Sequence, residues 1–91
     1  RELVPVVRVR PLYPPRAAQK KIEGWVLLEF TVTATGTVRD PQVIDAKPKG
    51  VFDRAAKRAI RKWKYKAKVV DGKPVTQPGI RTKLNFNLEG S

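Results

Sequence analysis

The side chains that most often carry out catalysis are rare in this chain of 91 residues. It contains neither His nor Cys, so a nucleophile with its base, a zinc site or a general base near neutral pH would need Asp, Glu, Lys or Tyr alone. Asp40, Asp45 and Asp53 are acids that could lie near one another, but no spacing singles out a catalytic pair. The scattered glycines form no phosphate-binding loop. We therefore predict that the chain is not an enzyme and uses no cofactor and no metal.

Positive charge is the main chemical feature of the sequence. Lys and Arg number 20 against 8 Asp and Glu, which gives a formal net charge of +12. Such a charge attracts nucleic acid, lipid headgroups or an acidic protein surface. Cations crowd one side of a predicted helix and its continuation: Arg54, Lys57, Arg58, Arg61, Lys62, Lys64, Lys66 and Lys68. Like charges four residues apart destabilise a helix by about 0.2 to 0.5 kcal/mol per pair, so this face is either simply solvated or a surface for a partner.

The strongest periodic pattern in the chain predicts the helix that carries most of these cations. Apolar residues recur at the spacing of one face of a helix that lies on a sheet: Phe52, Ala55, Ala56, Ala59, Ile60 and Trp63. A shorter helix is predicted over Arg16 to Glu23, because the Pro14-Pro15 pair can open its first turn and Gly24 can end it.

Alternation of apolar and polar residues predicts strands over Trp25 to Ala34 and Ile80 to Glu89. Between them, Val38 to Ala46 predicts a strand that is joined to the first by a turn at Gly36 and interrupted by Pro41. These three strands are expected to share one sheet.

Together the elements predict an α+β fold, a two-layer α/β sandwich. Its three-stranded antiparallel or mixed sheet has the order second, first, last strand and is packed by one long and one short helix. We expect an extended arm, or edge strand, over residues 1–10 and the domain over residues 11–91. No stretch approaches the roughly 18 apolar residues of a transmembrane helix, and the start at Arg1 indicates a fragment or a processed product.

The two outer strands of that sheet differ at their edges. Pro41 removes a backbone donor from the second strand, whereas Ile80 to Glu89 contains no Pro and keeps every N–H. An intact edge strand is what an extended peptide needs in order to add itself as a further strand. The last strand is therefore the predicted binding edge.

Short motifs run through most of the chain, from about Arg10 to Leu88. They are Tyr13-Pro14, Ala17, Ile22-Glu23-Gly24, Val26, Phe30-Thr31-Val32, Gly36-Thr37-Val38, Ala46-Lys47-Pro48, Phe52, Ala56, Ala59-Ile60 and Trp63-Lys64-Tyr65. In order and spacing the series resembles the C-terminal periplasmic domain of the TonB family. Ala67 departs from the family, which usually has Pro there, and the segment around Asp71-Gly72 is longer than in some members.

The resemblance implies an energy transducer that takes part in transport. It would be anchored in the inner membrane of a Gram-negative bacterium by an N-terminal segment absent here, and driven by an ExbB/ExbD-type motor. Its periplasmic domain would bind the Ton box and plug of TonB-dependent outer-membrane receptors for iron-siderophore, haem or vitamin B12, and Arg16 would meet an acidic residue of the plug. The residues expected to contact the receptor are Arg10, Pro11, Leu12, Tyr13, Arg16, Ile80, Arg81, Thr82, Lys83, Leu84, Asn85, Phe86, Asn87 and Leu88.

Several alternatives stay open at this point. A TolA-like envelope domain would share the two-layer build. A basic nucleic-acid-binding module would fit the positive charge. Against it, Trp63 lies on the apolar face of the predicted helix, which leaves Trp25 as the other large ring on which a base could stack. Trp25 is either half-covered by the arm, the interpretation we favour, or an exposed anchor. The sequence leaves the position of the arm open, and the edge of the last strand is one candidate position for it in the free domain. Tyr13 fits either a packing role or a recognition role.

Overall fold

An antiparallel sheet of three strands forms one layer of the molecule in a computed structural model, which describes residues 3–88. In chain order the elements are β1 (Pro5–Val7), α1 (Pro15–Gln19), β2 (Gly24–Val32), β3 (Val38–Lys47), α2 (Asp53–Ile60), β4 (Lys64–Tyr65), β5 (Lys68–Val70), β6 (Lys73–Val75) and β7 (Gln77–Phe86). The sheet has the order β3-β2-β7, and β1-β4 and β5-β6 form two smaller pairs. The α+β class, the two helices and the predicted strand order are confirmed.

Strand β2 supplies the centre of the core. Four of its side chains point inward and are at most 2% exposed: Val26, Leu28, Phe30 and Val32. The hairpin from β2 to β3 turns at Gly36, which has a φ of 87° and leaves room for only 2.1 Å between an added Cβ and the carbonyl oxygen of Tyr65. Only glycine fits this turn without displacing the backbone.

Helix α2 covers the apolar face of the sheet, with Ala56 and Ile60 fully buried. It is shorter than the periodicity predicts, because Phe52 is its N-cap and Trp63 lies in the turn after it. The Trp63 N–H donates to the Ile60 carbonyl, so the chain keeps winding and the indole still faces the core. Phe52 stacks on Phe86 at 4.3 Å between ring centroids, which joins the helix to β7. Within residues 3–88, no helix combines the length and the apolarity needed to cross a bilayer.

Helix α1 ends at Gln19, earlier than the predicted end at Glu23. Its end is a Schellman motif, in which the N–H groups of Lys21 and Ile22 donate to carbonyls of the last turn. Lys21 adopts the positive φ of 57° that this motif requires. The chain therefore reverses at a lysine, and Gly24 is already the first residue of β2.

The described residues of the arm do not occupy the edge of β7, so this candidate position is excluded for them. Strand β1 pairs with β4 instead, with Pro5 opposite Tyr65. Trp63 holds the arm just after this pairing, because its Nε1–H donates to the carbonyl of Val9 at 3.0 Å and the Arg8 guanidinium lies 5.7 Å from its ring centroid. The division of the chain at residue 10 stays a prediction.

The predicted turn at Asp71-Gly72 is confirmed. It joins β5 to β6 in a hairpin, and both residues have positive φ, 51° and 78°, as a type I′ turn requires. Strand β7 then begins at Gln77, before the predicted start at Ile80, and ends at Phe86. The predicted end at Glu89 lies outside the described residues.

Candidate partner-binding edge

The outer edge of β7 carries no partner strand within residues 3–88. On its inner side, β7 pairs with β2 without interruption from Ile80 opposite Phe30 to Phe86 opposite Gly24. An antiparallel strand bonded on one side turns alternate N–H and C=O groups outward. The seven residues Ile80 to Phe86 therefore form a regular row of backbone donors and acceptors.

The edge of β3 at the opposite side of the sheet is irregular. Its register against β2 shifts twice, so that Asp40 and Pro41 share the place opposite Phe30, and Ile44 is an extra residue further along. Asp40 takes a φ of 54°, and Pro41 is buried and has no N–H. The expectation that Pro41 spoils this edge is consistent with the geometry, and two bulges add to its effect.

A depression of about 460 Å³ runs beside the regular edge of β7. The arm and the end of the helical region form one wall and β7 forms the other, the lining residues being Leu3, Pro5, Arg8, Trp63, Tyr65 and Gly79 to Lys83. The Tyr65 hydroxyl lies 3.3 Å from the Thr82 Oγ1 across it. Burial raises the pKa of Tyr65, so the phenol stays neutral and serves as a hydrogen-bonding group. Within residues 3–88, no group of acidic side chains is suited to hold a metal ion.

Comparison with known proteins decides the family. The sequence model described as "Gram-negative bacterial TonB protein C-terminal" matches residues 9–88. This chain belongs to the TonB C-terminal family. It is 44% identical over 80 residues to the protein TonB of Klebsiella aerogenes, a match that takes in 88% of this chain but 30% of that protein. The chain thus spans less than a third of that relative's length.

Solved TonB structures share the fold. The solution NMR structure of the Pseudomonas aeruginosa TonB C-terminal domain is 32% identical and superposes with a TM-score of 0.80, covering 99% of this chain and 90% of that one. The TonB2 protein of Vibrio anguillarum is 44% identical with a TM-score of 0.68, covering 94% of this chain and 81% of that one. The resemblance inferred from the motifs is confirmed.

Tyr13, in one of the TonB family motifs, packs against the end of β7. Its ring meets Phe52 and Phe86 edge-on, at 5.5 and 5.9 Å between centroids. The hydroxyl donates to the carbonyl of Ile22 and lies 3.5 Å from that of Phe86. Burial and the nearby Glu23 carboxylate raise its pKa, so the donor stays protonated. The packing role weighed from the sequence is therefore present.

The remaining predicted contact residues near the N-terminus do not line the depression at β7. Arg10, Pro11 and Leu12 face a second depression, which lies between this segment and α2. Arg16 is exposed on α1 and lines neither. Asn87 and Leu88 follow β7 instead of belonging to it, and the Leu88 N–H donates to the Glu23 carboxylate at 2.9 Å. The structure therefore brings together Tyr13 and the Ile80 to Phe86 part of the predicted site.

The outward side chains of β7 already have neighbours on β2. The Lys83 ammonium lies 4.7 Å from the ring centroid of Trp25, and the Arg81 Nε lies 3.1 Å from the Glu29 Oε2. Trp25 is therefore covered by a lysine of the next strand and not by the arm, which corrects the sequence-based expectation. The sequence gives no direct sign of these pairs, because they follow from the register between two strands more than 50 residues apart.

Proposed function

We propose that this domain binds the Ton box of TonB-dependent outer-membrane receptors as an added strand along Ile80 to Phe86 and transmits force to their plug. The observation that carries the proposal is the uninterrupted backbone row of β7, which has no partner strand on its outer side among residues 3–88. Membership of the TonB C-terminal family supports the receptor as the partner.

Strand addition accounts for a binding strength suited to this task. About five backbone hydrogen bonds at about 0.5 to 1.5 kcal/mol each, less the cost of ordering a flexible peptide, give a modest and reversible affinity. A transducer that pulls repeatedly needs a contact that also lets go. Because the bonds involve main-chain groups, one domain can serve receptors whose Ton boxes differ in side chains.

The surroundings of the edge assign roles to other residues. The depression beside Gly79 to Lys83 can receive a side chain of the added strand, with Arg8 on its far wall. Tyr13 lies at the other end of the strand, beside Phe86. In this proposal, Tyr13 and the preceding segment from Arg10 to Leu12 contact peptide that extends beyond Phe86. Arg16 meets an acidic group of the receptor plug in this proposal.

The full-length protein supplies the remaining parts of the proposed cycle. The matched TonB of Klebsiella aerogenes is more than three times as long as the aligned part. We infer a periplasmic location for this domain, an inner-membrane anchor outside this chain, and an ExbB/ExbD-type motor driven by the proton-motive force. The transported nutrients would be iron-siderophore complexes, haem or vitamin B12.

A titration with a synthetic Ton-box peptide tests the proposal, with amide shifts followed along the chain by NMR. The largest shifts should fall on Ile80 to Phe86. Two matched control peptides carry one N-methylated amide each, at adjacent positions. Only the peptide whose methyl group faces β7 should lose binding, because alternate amides point away from the domain.

Three results would contradict the proposal. Shifts confined to Arg54 to Lys64 would make the helix face the binding surface. Equal binding of both methylated peptides would exclude a backbone ladder, and no binding at all would favour a TolA-like partner.

A further inference from the structure

A second depression in the described part of the molecule lies away from the proposed Ton-box edge. It measures about 650 Å³ and separates one flank of α2 from the segment of residues 9–15. Arg54, Arg58 and Lys62 stand along the helical wall, and Arg10 and Leu12 belong to the opposite wall. We call it the basic groove.

The cations of the basic groove have no acidic partners among residues 3–88. The ion pairs in that part of the chain join Arg39 to Asp40, Lys49 to Asp45 and Arg81 to Glu29. All four basic side chains of the groove are exposed, and Leu12 beside them is 76% exposed. Among residues 3–88, the groove thus offers three uncompensated cations on the helical wall, and Arg10 beside the apolar Leu12 on the other.

The spacing of these cations matches the side-chain repeat of an extended peptide. Arg54 and Arg58 are four residues apart on α2, which places them about 6 Å apart along the helix axis. Lys62 follows after four more residues, in the turn that closes the helix. An extended peptide places alternate side chains about 6.6 Å apart on one side, so its repeat nearly matches that of the cations.

We propose that the basic groove binds an extended acidic segment of a partner protein, in which Asp or Glu alternates with apolar residues. The acidic side chains pair with Arg54, Arg58 and Lys62, while the intervening residues face Leu12. A bilayer is too flat to reach both walls of a groove. Single-stranded nucleic acid would need stacking rings, and the one ring that lines the groove, Tyr13, is packed against Phe52 and Phe86.

The test measures the affinity of the 91-residue domain for two labelled nine-residue peptides by fluorescence anisotropy. The two peptides have the same composition. In one, Asp alternates with Ala and Leu; in the other, the same four Asp residues are contiguous. The alternating peptide should bind about fivefold more tightly at low salt, because only it presents all its carboxylates to one wall.

Matched double variants locate the site on the protein. Arg58→Gln with Lys62→Gln removes two cations of the groove, whereas Lys57→Gln with Arg61→Gln removes two at the same spacing from the other flank of α2. The groove variant should weaken the alternating peptide about tenfold and the control variant less than about twofold. Asn85→Pro, aimed at the β7 edge, should leave this affinity unchanged, so the test does not depend on the Ton-box proposal.

Three outcomes would overturn the inference. Equal affinity for the two peptides would mean that the groove does not recognise their spacing. Equal losses in the two double variants would assign binding to the diffuse field of a chain with net charge +12. In the third outcome, an oligonucleotide or phosphatidylglycerol vesicles bind more tightly than the alternating peptide, and only the groove variant loses that binding. The groove would then be assigned to that class of ligand.

Discussion

The two outer strands of the sheet have the same neighbour and very different edges. Strand β7 follows β2 in continuous register from Ile80 to Phe86, whereas β3 departs from it twice and contains Pro41 within the first bulge. Bulges and proline both interrupt the backbone row that a further strand would need. The edge of β3 is thereby unsuited to strand addition, while the described residues leave the edge of β7 without a partner strand.

The difference extends to what lies beside each edge. The depression at β7 has a wall supplied by the arm, which is held by β4 and Trp63 and so leaves the edge uncovered. An edge strand that is open, regular and hydrophobic on one face invites aggregation. Charged side chains on the other face of β7, such as Arg81 and Lys83, oppose unspecific pairing without removing any backbone group.

The largest expected effect concerns the anchoring of β7. Phe52 is fully buried and stacks on Phe86, the last residue of the strand. Phe52→Ala should therefore lower the free energy of unfolding by about 3 to 5 kcal/mol, a large part of the total for a small domain. Urea denaturation measures it, and Val69→Ala, at a residue 58% exposed, should change it by less than about 0.5 kcal/mol. A melting temperature within a few degrees of wild type would show that Phe52 is not part of the core.

Much of this comparison follows from sequence alone. Alternation predicts β2 and β7, and Pro41 marks the weaker edge. The bulges at Asp40 and Ile44 are not predictable in this way, because a bulge is a relation between two strands and not a property of one.

The candidate site is predicted less completely than the fold. The edge from Ile80 to Phe86 follows from the pattern, but the direction of the arm depends on a hydrogen bond between Val9 and Trp63, 54 residues apart. That contact turns Arg10 and Leu12 toward α2. Helix α1 likewise ends at Gln19, because Lys21 takes the positive φ of a Schellman motif, which tolerates a non-glycine residue at some cost.

The second prediction tests the open edge directly. Asn85→Pro should abolish Ton-box binding, by about a hundredfold or more, because Pro removes a donor and distorts a regular strand. Ile44→Pro on β3 is the matched control and should change binding less than about twofold, since Pro is tolerated at bulges. Asn87→Pro should also be mild, because Asn87 lies beyond β7. Equal losses for Asn85→Pro and Ile44→Pro would remove the proposed difference between the edges; circular dichroism checks that each variant folds.

The third prediction concerns a contact away from either edge. Arg16→Glu should weaken binding of a full-length receptor about tenfold at low salt and leave binding of the isolated Ton-box peptide unchanged, because the proposed partner is on the plug. Lys20→Glu reverses a charge next to the same helix and should have less effect. If both assays lost affinity together, Arg16 would belong to the β7 site.

The smallest expected effect separates backbone from side-chain recognition at β7. Lys83 faces outward in the middle of the open edge, yet its ammonium already lies 4.7 Å from the centroid of the Trp25 ring. Lys83→Ala should therefore lower the free energy of unfolding by about 0.5 to 1 kcal/mol, the value of an exposed cation–π contact, and change Ton-box affinity by less than about twofold. Denaturation and the peptide titration measure the two effects separately, and Lys73→Ala on the exposed β6 provides a control for the lost charge. If Lys83→Ala weakened the peptide more than about tenfold while Lys73→Ala did not, the side chains of β7 would supply the affinity. The difference in binding between the two edges would then come from their side chains and not from their backbone groups.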